Sequence, residues 1–145
     1  MNLFDSGGAT FSPCRTWRYR LWRTWSGGRG TINFLMLNPS TADETTNDPT
    51  VERCEQRARA WGYERLIVTN LFAFRATSPL DMKAAPDPVG PGNDAEIRVA
   101  ALESECVVCA WGQHGDNLGR AAAVLSVLCG IDLWALRVNL RGGRG

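Results

Sequence analysis

Lysine is nearly missing from this chain: Lys83 is the only one, so arginine supplies every other basic side chain. Histidine is as scarce, with His114 alone. One histidine cannot build a His-x-x-x-His metal pair, and neither a Ser-His-Asp nor a Walker pattern is present. Net charge is nearly absent too. A formal charge of +1 argues against a chain-wide electrostatic grip on nucleic acid or on acidic partners. No long apolar run occurs: the longest, around Ala121 to Leu128, is too short to span a membrane, and no signal-peptide pattern is visible. Internal repeats and low-complexity tracts are absent as well.

What is present is arginine, tryptophan and a few thiols. Arg15, Arg18, Arg20, Arg23 and Arg29 crowd the first third, and Arg137, Arg141 and Arg144 the end. Guanidinium suits phosphate forks and base stacking, although a biased genome composition gives the same preference. The five cysteines include Cys106-x-x-Cys109. Its interior is Val-Val within an apolar strand, so the sulfurs diverge, and no second ligand pair exists. Buried thiols of a cytosolic protein are the expectation, with no metal and no cofactor.

A length of 145 residues fits one domain. Residues 1–13, with Gly, Ser and Pro, read as a loose leader, 14–136 as a single α/β domain and 137–145 as an Arg/Gly-rich tail. Trp17 to Trp25 partly alternates ring or apolar residues with Arg, the period of a half-buried strand. Ser26-Gly-Gly-Arg-Gly30 is a hairpin-like turn into 31–37, which predicts an antiparallel strand feeding a central one. That Gly-rich turn precedes a strand rather than a helix, so it is no phosphate loop. Asp48-Pro49 starts a helix that runs to Trp61 and stops at Gly62. A strand over 65–70 and a Pro-rich loop from Ser78 to Pro91 follow. Asn93 or Asp94 caps a helix to about Glu103, then come a strand over 106–111, an Ala-rich helix from Asn117 to Cys129, and a last strand over 131–136. Alternating strands and helices predict a three-layer α/β domain with a mainly parallel sheet of four or five strands.

Three of these strands carry polar or aromatic groups at their carboxyl ends. Phe34-Leu-Met-Leu runs abruptly into Asn38-Pro39-Ser40, and Pro39 forces the strand to stop and turn. Leu66-Ile-Val-Thr runs into Asn70, and Cys106-Val-Val-Cys-Ala into Trp111-Gly112. Open α/β sheets bind ligands at such tips, which predicts one shared crevice for Asn38, Asn70 and Trp111. Each candidate has two readings. Asn38 orients a water through its carbonyl oxygen or closes an Asx-turn; Asp43 is the nearest carboxylate to serve it or simply belongs to a polar loop or cap. Asn70 reads a base edge or ties down the next loop. Phe72 and Phe74 alternate with Ala73, so one is core and the other a stacking face. Arg75 holds a phosphate or pairs with Asp81; Trp111 stacks on a base or packs as core or lid; His114 contacts a phosphate or acts as an acid, or sits in a surface turn.

The segments Cys14-Arg-Thr-Trp-Arg-Tyr, Leu37-Asn-Pro-Ser-Thr-Ala-Asp43, Asn70-Leu-Phe-Ala-Phe-Arg-Ala-Thr77, Asp87-Pro-Val-Gly-Pro-Gly-Asn-Asp94 and Ala110-Trp-Gly112 together resemble an uncharacterised bacterial and phage family, domain of unknown function 1643. A more distant similarity is to the uracil-DNA glycosylase superfamily. Leu37-Asn38-Pro39-Ser40 resembles the Asn-Pro motif whose Asn positions the attacking water. Ile67-Val-Thr-Asn70 with Phe74-Arg75 resembles the strand motif that recognises a pyrimidine edge, and Val107 to Gly112 the strand before the last catalytic loop. The superfamily continues into a His-Pro loop, whereas Leu133 to Gly145 has neither residue, which implies a missing group or a shortened end. The resemblance thus implies a metal-free, glycosylase-like hydrolase acting weakly on a base or nucleotide in nucleic acid. Two alternatives stand beside it: a non-catalytic binder of a modified base or nucleotide, and a phage or mobile-element accessory protein with a vestigial crevice.

Overall fold

The computed structural model describes residues 5–136; the Arg/Gly-rich tail expected over 137–145 lies outside the described residues. A six-stranded mixed sheet runs through the α/β domain, with helices on both faces. The strands are β1 (Ser6–Phe11), β2 (Arg18–Thr24), β3 (Thr31–Met36), β4 (Arg65–Asn70), β5 (Cys106–Cys109) and β6 (Trp134–Ala135), in the spatial order β1-β2-β4-β3-β5-β6. The four strands from β4 to β6 are parallel, while β2 runs antiparallel to β4 and β1 antiparallel to β2.

Two expectations are corrected here. Ser6–Phe11 is an edge strand paired with β2 along its length, not a loose leader. Glycine at positions 7 and 8 lets the strand lie close on Arg23 and Trp22, where a Cβ would collide with both side chains. The turn at 26–30 does not pair β2 with β3 either, because β4 inserts between them. Together these make the sheet wider and more mixed than four or five parallel strands.

β3 is central, and Thr31 to Leu35 are all buried, the mark of a strand covered on both faces. Side-chain alternation divides it. Ile32 and Phe34 face a core with Val51, Cys54 and Ala58 of α1 (Pro49–Ala60). Leu35 faces the opposite core with Ile97 of α3 (Asn93–Leu102) and Val124 of α4 (Arg120–Val127). Met82 of α2 (Pro79–Ala84) joins that second core. The short α2, capped by Ser78, stands where the sequence reads as a Pro-rich loop. A further departure concerns α3. Gly92, at φ +79°, is its N-cap, and the Asn93 side chain is buried and donates to the backbone oxygens of Asn70 and Leu71 instead.

Candidate functional site

β3 and β4 are parallel and in register, Met36 opposite Asn70, so both chains leave the sheet side by side at its carboxyl edge. There Asn38, Pro39, Ser40 and Asn70 line one cavity of about 30 Å³ together with Arg18, Asp48 and Thr50. Met36, Val51 and Val68 form its apolar wall. A polar space of that size holds about one water molecule.

The hydrogen-bond pattern fixes what each amide can offer. The Asn38 Nδ2 donates to the Ala76 carbonyl at 2.8 Å and the Pro39 carbonyl at 3.1 Å. Both partners are acceptors, so the nitrogen must face them, and Oδ1 is left without a partner among the described residues. Asn70 is set the other way round. Arg18 can only donate, and its Nη2 reaches Asn70 Oδ1 at 3.4 Å, which leaves Nδ2 as the free group. The site therefore presents an acceptor on Asn38 and a donor on Asn70.

Arg18 is 2 % exposed and has no ion pair among the described residues. Its Nη1 donates to the Ala42 carbonyl at 3.2 Å, and its Nε, fully buried, finds no partner. Burial pushes its pKa down to about 10, against the pull of the nearby Asp48 charge. Asp48 in turn caps α1: Oδ1 accepts from Val51 N–H at 2.9 Å and Oδ2 from Ala42 N–H at 3.2 Å.

Beside this cavity, sharing Ser40 with it, an open groove of about 450 Å³ is lined by Arg15, Thr16, Thr41, Phe74, Arg75 and Thr77 among others. Arg75 pins the loop after β3 through Nε to the Ser40 carbonyl at 3.3 Å, and its guanidinium lies 4.8 Å from the Phe11 ring centre. It has no bond to Asp81, and its Nη2 has no partner among the described residues. Arg15, over the same ring at 3.9 Å, is held by a two-pronged ion pair with Glu44 at 2.7 and 2.8 Å. Gly90, at φ +89°, allows Trp17 to cross close above it, where a Cβ would lie 2.8 Å from the indole; Trp17 then bridges Phe74.

The remaining candidates fall elsewhere. Phe72 is 0 % exposed in the second core, so Phe74 and not Phe72 is the ring at the groove. Asp43 turns back on its own loop, accepting from Thr45 and Thr46 N–H at 3.0 and 2.9 Å, bonds that lower its pKa. The carboxylate that reaches the cavity is Asp48. Trp111 lies at the same carboxyl edge, after β5, but packs against the core on the opposite face, with Gly115 close against its indole. His114 follows in a 3-10 segment (Gln113–Gly119) and lines neither the cavity nor the groove. The shared cleft thus joins Asn38 and Asn70 and leaves Trp111 out.

Sequence reading passes over Arg18 as one more arginine of an alternating strand, and no periodicity singles it out. Arg23 does carry a signal. It stands two residues from Leu21 and two from Trp25, on the buried face, and it donates to backbone oxygens of Asp43, Glu44 and Thr46, holding that loop in place. Among the described residues, no group of His, Cys, Asp and Glu side chains is arranged to hold a metal.

Neither the curated proteins nor the solved structures contain a match to this chain. One family model matches, over residues 18–139, and so covers β2 to β6, the cavity and most of the groove. The chain belongs to the family described as protein of unknown function (DUF1643).

Proposed function

We propose that the Asn38–Asn70 cavity and the groove beside it form a base- or nucleotide-binding site of the uracil-DNA-glycosylase type, with slow hydrolysis of an N-glycosidic bond at most. One observation carries this reading: Asn38-Pro39-Ser40 and Asn70, from the ends of adjacent parallel strands, line a single cavity that shares Ser40 with a groove holding Phe74 and Arg75. Extruding a base for chemistry requires a pocket, a stacking ring and polar groups that read its edge. Phe74 supplies the ring and Asn70 Nδ2 a donor for a carbonyl edge. Asn38 Oδ1 can accept from a water and orient it. Asn does not take up the proton, however, and both carboxylate oxygens of Asp48 are already engaged by backbone N–H groups, of Val51 and Ala42.

In such a reaction the bond from the sugar carbon to the base nitrogen breaks, its electron pair leaves with the base, a water oxygen bonds to the sugar carbon, and the proton that water loses ends on the departed base. A donor aimed at the departing anion lowers the barrier, and losing one from a preorganised site costs on the order of a hundredfold or more. The Nη2 of Arg75, without a partner among the described residues, is a donor at the groove. A non-catalytic binder is the second reading; in both, room for one water does not admit a base to the cavity without movement of the Ser40 loop.

The test is incubation of the purified chain with duplexes carrying uracil, hydroxymethyluracil, a thymine mismatch or hypoxanthine, scoring alkali-labile sites. Slow cleavage abolished by Asn38→Ala and retained by Asp43→Ala is expected of the hydrolase. Binding of one base without cleavage establishes the binder. Robust turnover indifferent to Asn38→Ala would place the chemistry elsewhere.

A further inference from the structure

We infer a second contact surface for single-stranded nucleic acid, on the exposed face of α1 and away from the cavity. The observation is the distribution of unpaired guanidinium groups. Most arginines among the described residues are engaged: Arg15, Arg20, Arg59, Arg65 and Arg120 with carboxylates, and Arg18, Arg23, Arg75 and Arg98 with carbonyl oxygens. Arg29, Arg53 and Arg57 have no side-chain partner among the described residues. Two of them share one helix face, and the backbone of Arg29 lies at its end. Arg53, Arg57 and Trp61 follow one another at i, i+4 and i+8 along the outer face of α1, and line a shallow groove of about 350 Å³ with Gln56 and Ala60. Arg29 joins them at the helix end, where its backbone N–H bonds the Gly62 carbonyl at 2.9 Å.

Like charges four residues apart destabilise a helix, so this face carries an uncompensated positive field that an anion relieves. The helix C-terminus relieves some of it through its dipole, and Trp61, one face of which stacks on buried Phe34 at 6.1 Å between ring centres, is still 51 % exposed beside it. Guanidinium groups spaced along a groove with an exposed aromatic ring are the two components that hold an unpaired strand: phosphates on the charges, a base on the ring. A duplex keeps its bases stacked and offers Trp61 nothing to bind. Along the helix axis, at 1.5 Å per residue, Trp61 lies about 15 Å beyond Val51, which lines the cavity, while Arg53 lies within one turn of Val51. The surface would bind whether or not the cavity is catalytic.

The test is fluorescence anisotropy of a labelled oligothymidylate with the full chain across a salt series. Each neutralised phosphate contributes about −0.7 to the slope of log affinity against log salt for a single strand. The triple change Arg29→Gln, Arg53→Gln, Arg57→Gln should therefore flatten the slope by about two. Trp61→Ala should weaken binding by about fivefold to a hundredfold at unchanged slope, and Trp61→Phe should restore most of it. Circular dichroism keeps a misfolded variant from being scored. An unchanged slope in the triple variant, equal binding of the matching duplex, or equal competition by poly-glutamate would each overturn the assignment. Leu125→Ser, exposed on α4 across the sheet from α1, serves as the control with unaltered binding here.

Discussion

Asn70→Ala removes the acceptor that Arg18 Nη2 reaches at 3.4 Å, in a site where Arg18 Nε already lacks a partner. The guanidinium would keep one bond, to the Ala42 carbonyl. A hydrogen bond to a charged group contributes roughly 1.5–3 kcal/mol, and the long distance puts this one at the low end. With the lost side-chain packing, the variant should be about 2 kcal/mol less stable, a fall in Tm of roughly 4–8 °C for a chain of this size. That loss alone does not identify its cause, so the measurement is a double-mutant cycle with Arg18→Met. Methionine keeps an apolar stem and leaves no orphaned donor. In its background Asn70→Ala should cost about 1 kcal/mol less, a coupling well above the roughly 0.3–0.5 kcal/mol scatter of independent sites. Urea or thermal unfolding of the four proteins gives the number. Additive effects within about 0.5 kcal/mol would refute the claim that Arg18 orients the Asn70 amide, and with it the assignment of Nδ2 as the exposed donor.

Asp48→Ala should destabilise by about 2–3 kcal/mol in denaturant unfolding, since it removes an N-cap and leaves the Ala42 amide unpaired; Asp48→Asn, which keeps the cap, should cost less. The two-pronged bond to Arg15 holds the Glu44 carboxyl down at about 2, from an ordinary value of 4.5. Because the folded value is the lower one, the stabilisation is present above about pH 4.5 and is lost as pH falls toward 2; NMR titration of Glu44 should give its pKa, and Arg15→Ala should return it to the ordinary range. Hydrogen bonding with Thr16 and Ser12 holds the exposed Cys14 thiol down at about 7, while burial pushes Cys54 up to about 12. Alkylation of Cys14 should be half-maximal near pH 7 and slow about tenfold per pH unit below it, and mass spectrometry should find Cys54 unmodified until the chain unfolds.

Local signals placed most of the elements. Asp48-Pro49 and Gly62 bound α1 because capping and positive φ are decided by a few neighbouring residues. The apolar runs before Asn38 and Asn70 become parallel strands because both faces of each are buried. From that, the sequence alone brings the two asparagines to one sheet edge. What it does not contain is pairing order and face. β4 enters between β2 and β3, which carries Arg18 to the end of the sheet and against Asn70. Alternation along β5 sends Trp111 to the far core, although it shares the edge. The choice of Phe74 over Phe72, and of Asp48 over Asp43, is tertiary too. Residues two apart share a face in a regular strand, so alternation separates neither pair, and only contacts from elsewhere in the chain decide which member is buried and which lines the site. The hydrogen-bonding polarity of the cavity is likewise tertiary, since the free group on each amide is whatever Arg18, Ala76 and Pro39 leave unused.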